Sequence, residues 1–137
     1  MERADEGLAF MLRYENVAWY ENGRVRILDR RIYPRKVEFV YCDNYHEVIK
    51  ALQDMVTQSA GPYTAAAMGM ALAAYECRNM TEEKQLDYLK TAAYEIAHAR
   101  PTTVSRMELI TGGCYQAAKK ALESGEDVSD AIVLHTI

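Results

Sequence analysis

The fold is decided by residues 36–56, KVEFVYCDNYHEVIKALQDMV, in which the period of the apolar side chains changes. Residues 36–41 alternate polar and apolar side chains, which predicts a strand. From Asn44 onward the apolar residues recur at helical spacing, and Asn44 with Glu47 predicts a capping box. The helical face comprises Tyr45, Val48, Ile49, Leu52, Met55 and Val56. We therefore expect a single switch from strands to helices near Asn44.

The segment before this switch contains the signature of a β-hairpin. Residues 17–20 and the alternating residues 24–28 flank Asn22-Gly23, the strongest two-residue hairpin signal. Residues 36–41 add a third strand, and residues 7–14 form a further strand or a short helix. The alternation in the third strand leaves its buried face open between two pairs, Val37 with Phe39 and Val40 with Tyr41.

Two long helices are predicted in the middle of the chain. The second helix starts at Pro62, since proline suits the first helical position, and runs to about Cys77. Its many small residues allow neighbouring backbones to come close, so it should be central. The third helix follows Thr81 and ends before Pro101. Its apolar stripe consists of Leu86, Leu89, Ala93 and Ile96.

A fourth helix and a short tail complete the pattern. The fourth helix begins after Thr103, with Ser105 and Glu108 as a possible capping box, and ends at Gly125. Its inward residues are Met107, Ile110, Cys114, Ala118 and Leu122. Residues 128–137 form a short helix or a lone apolar strand.

These elements predict an α+β fold, in which a small antiparallel sheet of about three strands precedes a bundle of four or five helices. The length of 137 residues suits one domain. We expect a single domain over residues 1–137, with a β-rich part at 1–43 and a helical part at 44–137.

Composition narrows the class of protein. No apolar run approaches the ~18 residues of a membrane span, and the charged start of the chain is unlike a secretory signal, so we expect a cytoplasmic protein that does not enter membranes. The net charge of −4 and the scattered basic residues argue against nucleic-acid binding. The densest basic cluster, at residues 30–36, is interpreted as a solvated turn.

The cysteines and histidines indicate no metal site, cofactor or disulfide framework. Cys42, Cys77 and Cys114 have no Cys-x-x-Cys spacing and no histidine at ligand distance, so buried reduced thiols are expected. The three histidines are isolated, and ordinary polar roles are expected of them. No nucleophile elbow or complete phosphate loop is present.

Two segments favour an anion site. Residues 58–62, QSAGP, lead directly into a helix N-terminus, where free N–H groups and the positive end of the dipole attract anions. Arg100 lies between two helices beside Thr102 and Thr103, and its guanidinium suits a phosphate or a carboxylate.

A purely structural interpretation of these segments stays open. In it, Ser59 or Gly61 caps one helix, Thr103 caps the next, and Arg100 pairs with a nearby acid.

Three segments carry a family resemblance: residues 28–34, LDRRIYP, residues 55–73, and residues 100–105, RPTTVS. In this order they resemble motifs of the family of methylthioribose-1-phosphate isomerase and the initiation factor 2B regulatory subunits. Residues 28–34, LDRRIYP, are similar to the family's Leu-Asp-Gln-x-x-Leu-Pro. Residues 55–73 resemble the isomerase segment in which an Arg-Gly-Ala loop enters an alanine-rich helix. Residues 100–105, RPTTVS, are similar to Arg-Pro-Thr-Ala-Val-Asn. The resemblance covers roughly residues 17–105 and only the family's amino-terminal half.

The resemblance implies a sugar-phosphate site and a missing catalyst. It implies that Gln58, Ser59, Ala60, Gly61, Arg100 and Thr102 bind a sugar phosphate or a similar anion. Gln58 and Ser59 replace the arginine and glycine of the family's loop, which weakens a phosphate contact there. The family's catalytic cysteine and aspartate belong to a Rossmann-like carboxyl-terminal domain, so no catalytic residue is assigned here.

Two functions follow as hypotheses. The first is the substrate-binding half, or a split subunit, of an aldose-ketose isomerase-like protein that is inactive alone. Its partner is a second copy or a separate Rossmann-like subunit. Helix 62–77 and the tail residues 131–134 are expected to supply the apolar association surface. The alternative is a non-catalytic interaction module of the initiation factor 2B type.

Overall fold

The computed structural model describes residues 14–137, and within them a three-stranded sheet precedes five helices. Strands β1 (Ala18–Glu21), β2 (Arg24–Leu28) and β3 (Phe39–Cys42) form an antiparallel sheet in the order β1-β2-β3. The predicted α+β fold and the switch near Asn44 are confirmed. The element predicted at residues 7–14 lies outside the described residues except for Tyr14, which starts a 3₁₀ turn, Tyr14–Asn16.

The hairpin between β1 and β2 turns at the predicted dipeptide. Asn22 and Gly23 both have positive φ values, 51° and 80°, as a two-residue turn of this kind requires. A side chain at Gly23 would also collide with the ring of Tyr75, since an added Cβ would lie 2.6 Å from its Cε1 atom. The turn therefore docks directly onto the helical part of the chain.

Strand β3 is shorter than predicted and begins at Phe39 rather than at Lys36. Its pairing partner ends at Leu28, which lies opposite Phe39, so the residues before Phe39 have no strand beside them. One hydrogen bond still extends the ladder, from Asp29 N to Glu38 O at 2.9 Å. The sequence left open which side chains of this strand are buried. In the structure Val40 and Cys42 of β3 face the core.

Helix α1 (Tyr45–Gln53) has the predicted N-cap but ends earlier than predicted. The Asn44 side chain accepts from Glu47 N at 3.0 Å. The second hydrogen bond of a capping box would run from Asn44 N to the Glu47 side chain. Here Asp43 N donates to Glu47 Oε1 instead, at 2.7 Å. The assignment of Met55 to the buried face was wrong, because its φ of 60° lies in the left-handed region and its side chain is 48% exposed.

Helix α2 (Gly61–Glu76) is the centre of the molecule, as its small residues predicted. Twelve of its sixteen residues are buried, and it packs against the sheet and against every other helix. Because its surface is already covered within the chain, the prediction that helix 62–77 offers an association surface was wrong. Strands and helices share one apolar core, in which Ile27, Met70 and Ile96 are fully buried.

The remaining helices are α3 (Glu82–Ala97), α4 (Val104–Ser124) and α5 (Val128–Thr136). Thr81 caps α3 and Gly125, with φ 74°, ends α4, both as predicted. The capping box predicted at Ser105 and Glu108 was wrong, because α4 already begins at Val104. No helix within residues 14–137 is both long and apolar enough to cross a membrane.

The tail forms a helix, α5, rather than a strand, and both polar and apolar contacts attach it to the rest of the chain. Asp127 caps α5 by accepting from Asp130 N at 2.9 Å. The buried Ser129 hydroxyl donates to Ala71 O of α2 at 2.9 Å, and Ile132 is fully buried. Of the predicted association residues 131–134, only Leu134 is largely exposed, at 58%.

Candidate functional site

The loop between α1 and α2 contains the four consecutive candidate residues. Ser59 adopts a left-handed conformation with φ 61°, and Gln58 Nε2 donates to Met55 O at 3.3 Å. Ser59 and Ala60 are exposed, whereas Gly61 is buried. An added Cβ at Gly61 would lie 2.0 Å from the Thr57 Oγ1 atom, so the loop backbone packs too tightly for a side chain there.

The N-terminus of α2 offers fewer main-chain donors than the sequence predicted. Gly61 N donates to Gln58 O at 3.1 Å, Tyr63 N donates to Ala60 O at 3.2 Å, and Pro62 has no N–H group. The N-cap is Ala60, without a side-chain bond, so capping by Ser59 or Gly61 was also wrong. An anion at this end meets the helix dipole and side chains rather than the N–H groups of Gly61 and Tyr63.

Arg100 braces this loop from the segment after α3. Its Nε atom donates to Leu52 O at 2.6 Å, and its Nη2 atom donates to Thr57 O at 2.8 Å. Partial burial lowers the pKa of Arg100 from its ordinary value. The expectation of an acidic partner was wrong, because both acceptors are backbone carbonyls. Arg100 thus fixes the carbonyl directly before Gln58.

The two threonines after Arg100 differ in environment. Thr102 is exposed on the 3₁₀ turn Pro101–Thr103. Thr103 precedes α4 but makes no side-chain capping bond, so its predicted capping role was wrong. Within the described residues its Oγ1 atom is buried without a hydrogen-bond partner. The structure therefore ties Arg100 to the loop and leaves Thr102 at the surface.

A cavity of about 490 Å³ opens beside Ala60, between α2, α4 and α5. Two of its lining residues, Arg106 and His135, are polar groups that the sequence did not single out. The Arg106 guanidinium lies over the ring of Tyr63, 4.8 Å from its centroid. His135 comes from the far end of the chain, so only tertiary packing brings it to the loop. Both side chains can hydrogen-bond an anion.

Cys114 lines the same cavity but is no nucleophile. Burial raises the pKa of its thiol to about 11. A thiol must be deprotonated to attack, so Cys114 is inert near neutral pH. The arrangement around Ala60 can therefore bind an anion but shows no group poised for covalent chemistry.

The chain matches no protein-family model. It does match curated isomerases. The methylthioribose-1-phosphate isomerase of Natranaerobius thermophilus is 37% identical over 87 residues, which are 63% of this chain and 25% of that protein. The isomerase of Desulforamulus reducens is 31% identical over 91 residues, which are 66% of this chain and 26% of that protein. The chain is homologous to part of these isomerases.

The chain is also similar to about a third of each of two solved structures, an initiation factor subunit and an isomerase. Translation initiation factor eIF-2B, subunit delta, from A. fulgidus superposes with a TM-score of 0.75 and 28% identity, over 87% of this chain and 34% of that one. The 5-methylthioribose 1-phosphate isomerase from Pyrococcus horikoshii superposes with a TM-score of 0.69 and 25% identity, over 88% and 34%. The chain spans about a quarter of the length of its curated isomerase relatives.

Proposed function

We propose that this chain is the sugar-phosphate-binding part of an aldose-ketose isomerase-like protein. The homologous isomerases are named for methylthioribose 1-phosphate, and the chain spans only a quarter of their length. The observation that carries the proposal is the loop Gln58–Gly61, which Arg100 holds and whose Ala60 lines the same cavity as Arg106 and His135. A ligand phosphate there faces the positive end of the α2 dipole.

Each site residue has a distinct part in this proposal. Gln58, Ser59 and Ala60 border the phosphate, and Gly61 allows the tight backbone. Arg100 is a positioning residue, because its bonds to Leu52 O and Thr57 O fix the loop. Thr102 supplies a surface hydroxyl nearby. Arg106 replaces the charge that the family's loop arginine provides and that Gln58 lacks.

The catalytic groups come from elsewhere in this proposal. The cavity beside Ala60 provides binding groups, whereas the aldose-ketose interconversion also requires a base and an acid at adjacent sugar carbons. In this proposal a separate Rossmann-like carboxyl-half subunit supplies that base and acid. A homodimer is the other proposed partner, and it supplies no catalyst. We further propose that residues 1–137 act as one cytoplasmic domain, consistent with the core that sheet and helices share.

Titration of the full chain with methylthioribose 1-phosphate, followed by amide chemical shifts, tests the site. We expect saturable shifts in residues 58–61 and weaker binding for Arg106→Gln by roughly tenfold, the loss of one charge-assisted bond. Arg78→Gln is the matched control, because Arg78 also lies over a tyrosine ring, 3.8 Å from the centroid of Tyr75. Inorganic phosphate alone should bind the same residues more weakly.

Two results would contradict the proposed site. One is the absence of saturable shifts at millimolar ligand. The other is an equal loss of affinity in Arg106→Gln and Arg78→Gln, which would show that only net charge matters.

A second function is favoured by one observation. The Arg100 guanidinium donates to two backbone carbonyls. This suits a structural module such as the homologous region of the initiation factor subunit. In that case the chain binds a protein and no small molecule. Tight protein association together with a flat sugar-phosphate titration would favour this alternative.

A further inference from the structure

The cavity beside Ala60 extends along one face of α4. The residues of α4 that line it are Arg106 in the first turn, then Leu109 and Ile110, and finally Cys114. Residues three and four apart are neighbours on a helix, so these side chains form one stripe. The cavity therefore has two ends, one at the start of α4 and one about two turns further along it.

The two ends of the cavity carry different polar groups. At the first end Arg106 lies over the ring of Tyr63, next to the N-terminus of α2. At the second end His135 of α5 lies against α4, because a Cβ atom added at Gly113 would be 3.0 Å from its Nε2 atom. Residues 106 and 113 are close to two turns apart, which is about 10 Å along the helix. A ligand that contacts both ends must span this distance.

Gly113 makes room for the imidazole of His135. A Cβ atom added at Gly113 would meet three atoms of that ring, whereas one added at Gly112 would have nothing within 4 Å. Glycine is unfavourable inside a helix because it loses the most backbone freedom. Of these two consecutive glycines, only Gly113 thus permits a contact within the described residues, and this contact sets the position of the imidazole.

The imidazole of His135 can bind a hydroxyl group of a ligand. It has two ring nitrogens, of which one donates and the other accepts in the neutral form, and the residue is exposed at the cavity. A hydroxyl is both a donor and an acceptor, whereas a thioether sulfur is only a weak acceptor. The His135 end of the cavity therefore favours an oxygen over a sulfur.

We propose that His135 is a specificity-determining residue that hydrogen-bonds a hydroxyl at the end of the sugar opposite the phosphate. The inference rests on the proposed function, in which the phosphate lies at the N-terminus of α2 beside Arg106. A pentose 1-phosphate then extends along α4, with its carbon skeleton on Leu109 and Ile110 and its 5-position at His135. The ligand class is a pentose phosphate with a free 5-hydroxyl. It differs in that group from the 5-methylthio sugar for which the homologous isomerase is named.

Two ligands that differ only at the 5-position test this assignment. Ribose 1-phosphate has a hydroxyl where 5-methylthioribose 1-phosphate has a methylthio group. Amide chemical shifts of the full chain should show about fivefold tighter binding of ribose 1-phosphate, the contribution of one hydrogen bond. His135→Leu should abolish or reverse this preference, because leucine packs on a methylthio group but forms no hydrogen bond. His98→Leu, a control at an exposed histidine after α3, should keep it.

The two glycines test how the imidazole is positioned. Gly113→Ala should displace the ring, reduce the preference for ribose 1-phosphate and abolish the response of the His135 ring nitrogens to that ligand. Gly112→Ala adds the same methyl group in open space and should keep both. Alanine is the better helix former at both positions, so a weaker helix cannot account for the loss.

The outcomes separate this inference from the proposed function. If both ligands give saturable shifts in residues 58–61 but the parent chain and His135→Leu have the same preference, the inference is wrong and the proposed function stands. An undiminished preference in Gly113→Ala contradicts the positioning role of Gly113. If neither ligand gives saturable shifts, the proposed function and the inference are both wrong.

Discussion

The guanidinium of Arg100 donates to the carbonyl oxygen of Thr57 across 2.8 Å, and this bond joins two segments that are 43 residues apart in the chain. The same side chain donates to Leu52 O, one of the last carbonyls of α1. One residue therefore closes the end of a helix and fixes the start of the candidate anion loop. Its role is positional, whether or not a phosphate binds.

Replacement of Arg100 should destabilise the fold. Arg100→Met removes two charge-assisted hydrogen bonds, which we expect to lower the free energy of unfolding by roughly 2–4 kcal/mol. Arg100→Lys should recover only part of this, since lysine has no planar fork. Urea unfolding gives the values, with Arg78→Met as control. A free energy of unfolding for Arg100→Met equal to that of the parent chain would show that the brace contributes nothing.

The chain alone should show no isomerase activity. The residues around Ala60 can bind a phosphate, but Cys114 is held protonated by burial. The other lining side chains that can carry a proton are His135 and the phenols Tyr14 and Tyr63. Coupled assays with methylthioribose 1-phosphate and other aldose phosphates should give background rates. Turnover that disappears in His135→Gln but persists in His98→Gln would reveal a catalyst that this interpretation lacks.

All three cysteines should be unreactive in the folded protein. Burial raises the pKa of Cys42 to about 12 and those of Cys77 and Cys114 to about 11. Little thiolate is therefore present at pH ~8, and the sulfurs are also inaccessible. A chromogenic thiol reagent should titrate no fast equivalent in buffer and three in denaturant. One rapidly modified thiol in the native chain would contradict the buried placement.

Alkaline pH should destabilise the contacts of α3 with α1 and with α2. Burial raises the pKa of Tyr45, whose hydroxyl donates to Glu95, and burial also raises the pKa of Tyr88, which donates to Glu76. An unfolded tyrosine ionises near pH ~10, so this stabilisation is complete below that pH and is lost as the pH rises above it. The buried thiols have the same sign and begin to contribute about one unit lower.

The double variant Tyr45→Phe/Tyr88→Phe separates the two contributions. Its free energy of unfolding should fall less steeply above pH ~10 than that of the parent chain, because, of the buried phenols and thiols, only Tyr20 and the thiols keep a raised pKa. Urea unfolding at a series of pH values measures both slopes. Parallel pH profiles would show that the two phenols do not titrate differently in the folded and unfolded states.

Local sequence determined the order of elements. The change of period near Asn44, the Asn22-Gly23 turn and the caps at Thr81 and Gly125 act through neighbouring residues, and each is found where predicted. The bounds of an element were predicted less accurately where they depend on a partner that is distant in the chain. β3 starts at Phe39 because β2 ends at Leu28, a fact of pairing rather than of propensity.

The sequence by itself therefore determined the α+β class, the central alanine-rich helix and the family resemblance, because these depend on periodicity and motif order within the chain. Only the tertiary structure decided what the candidate residues do. In the folded chain Arg100 donates to two backbone carbonyls, the first N–H groups of α2 form turn hydrogen bonds, and His135 lines the same cavity as Ala60. Hydrogen-bond partners and cavities are set by long-range packing, which local spacing does not encode.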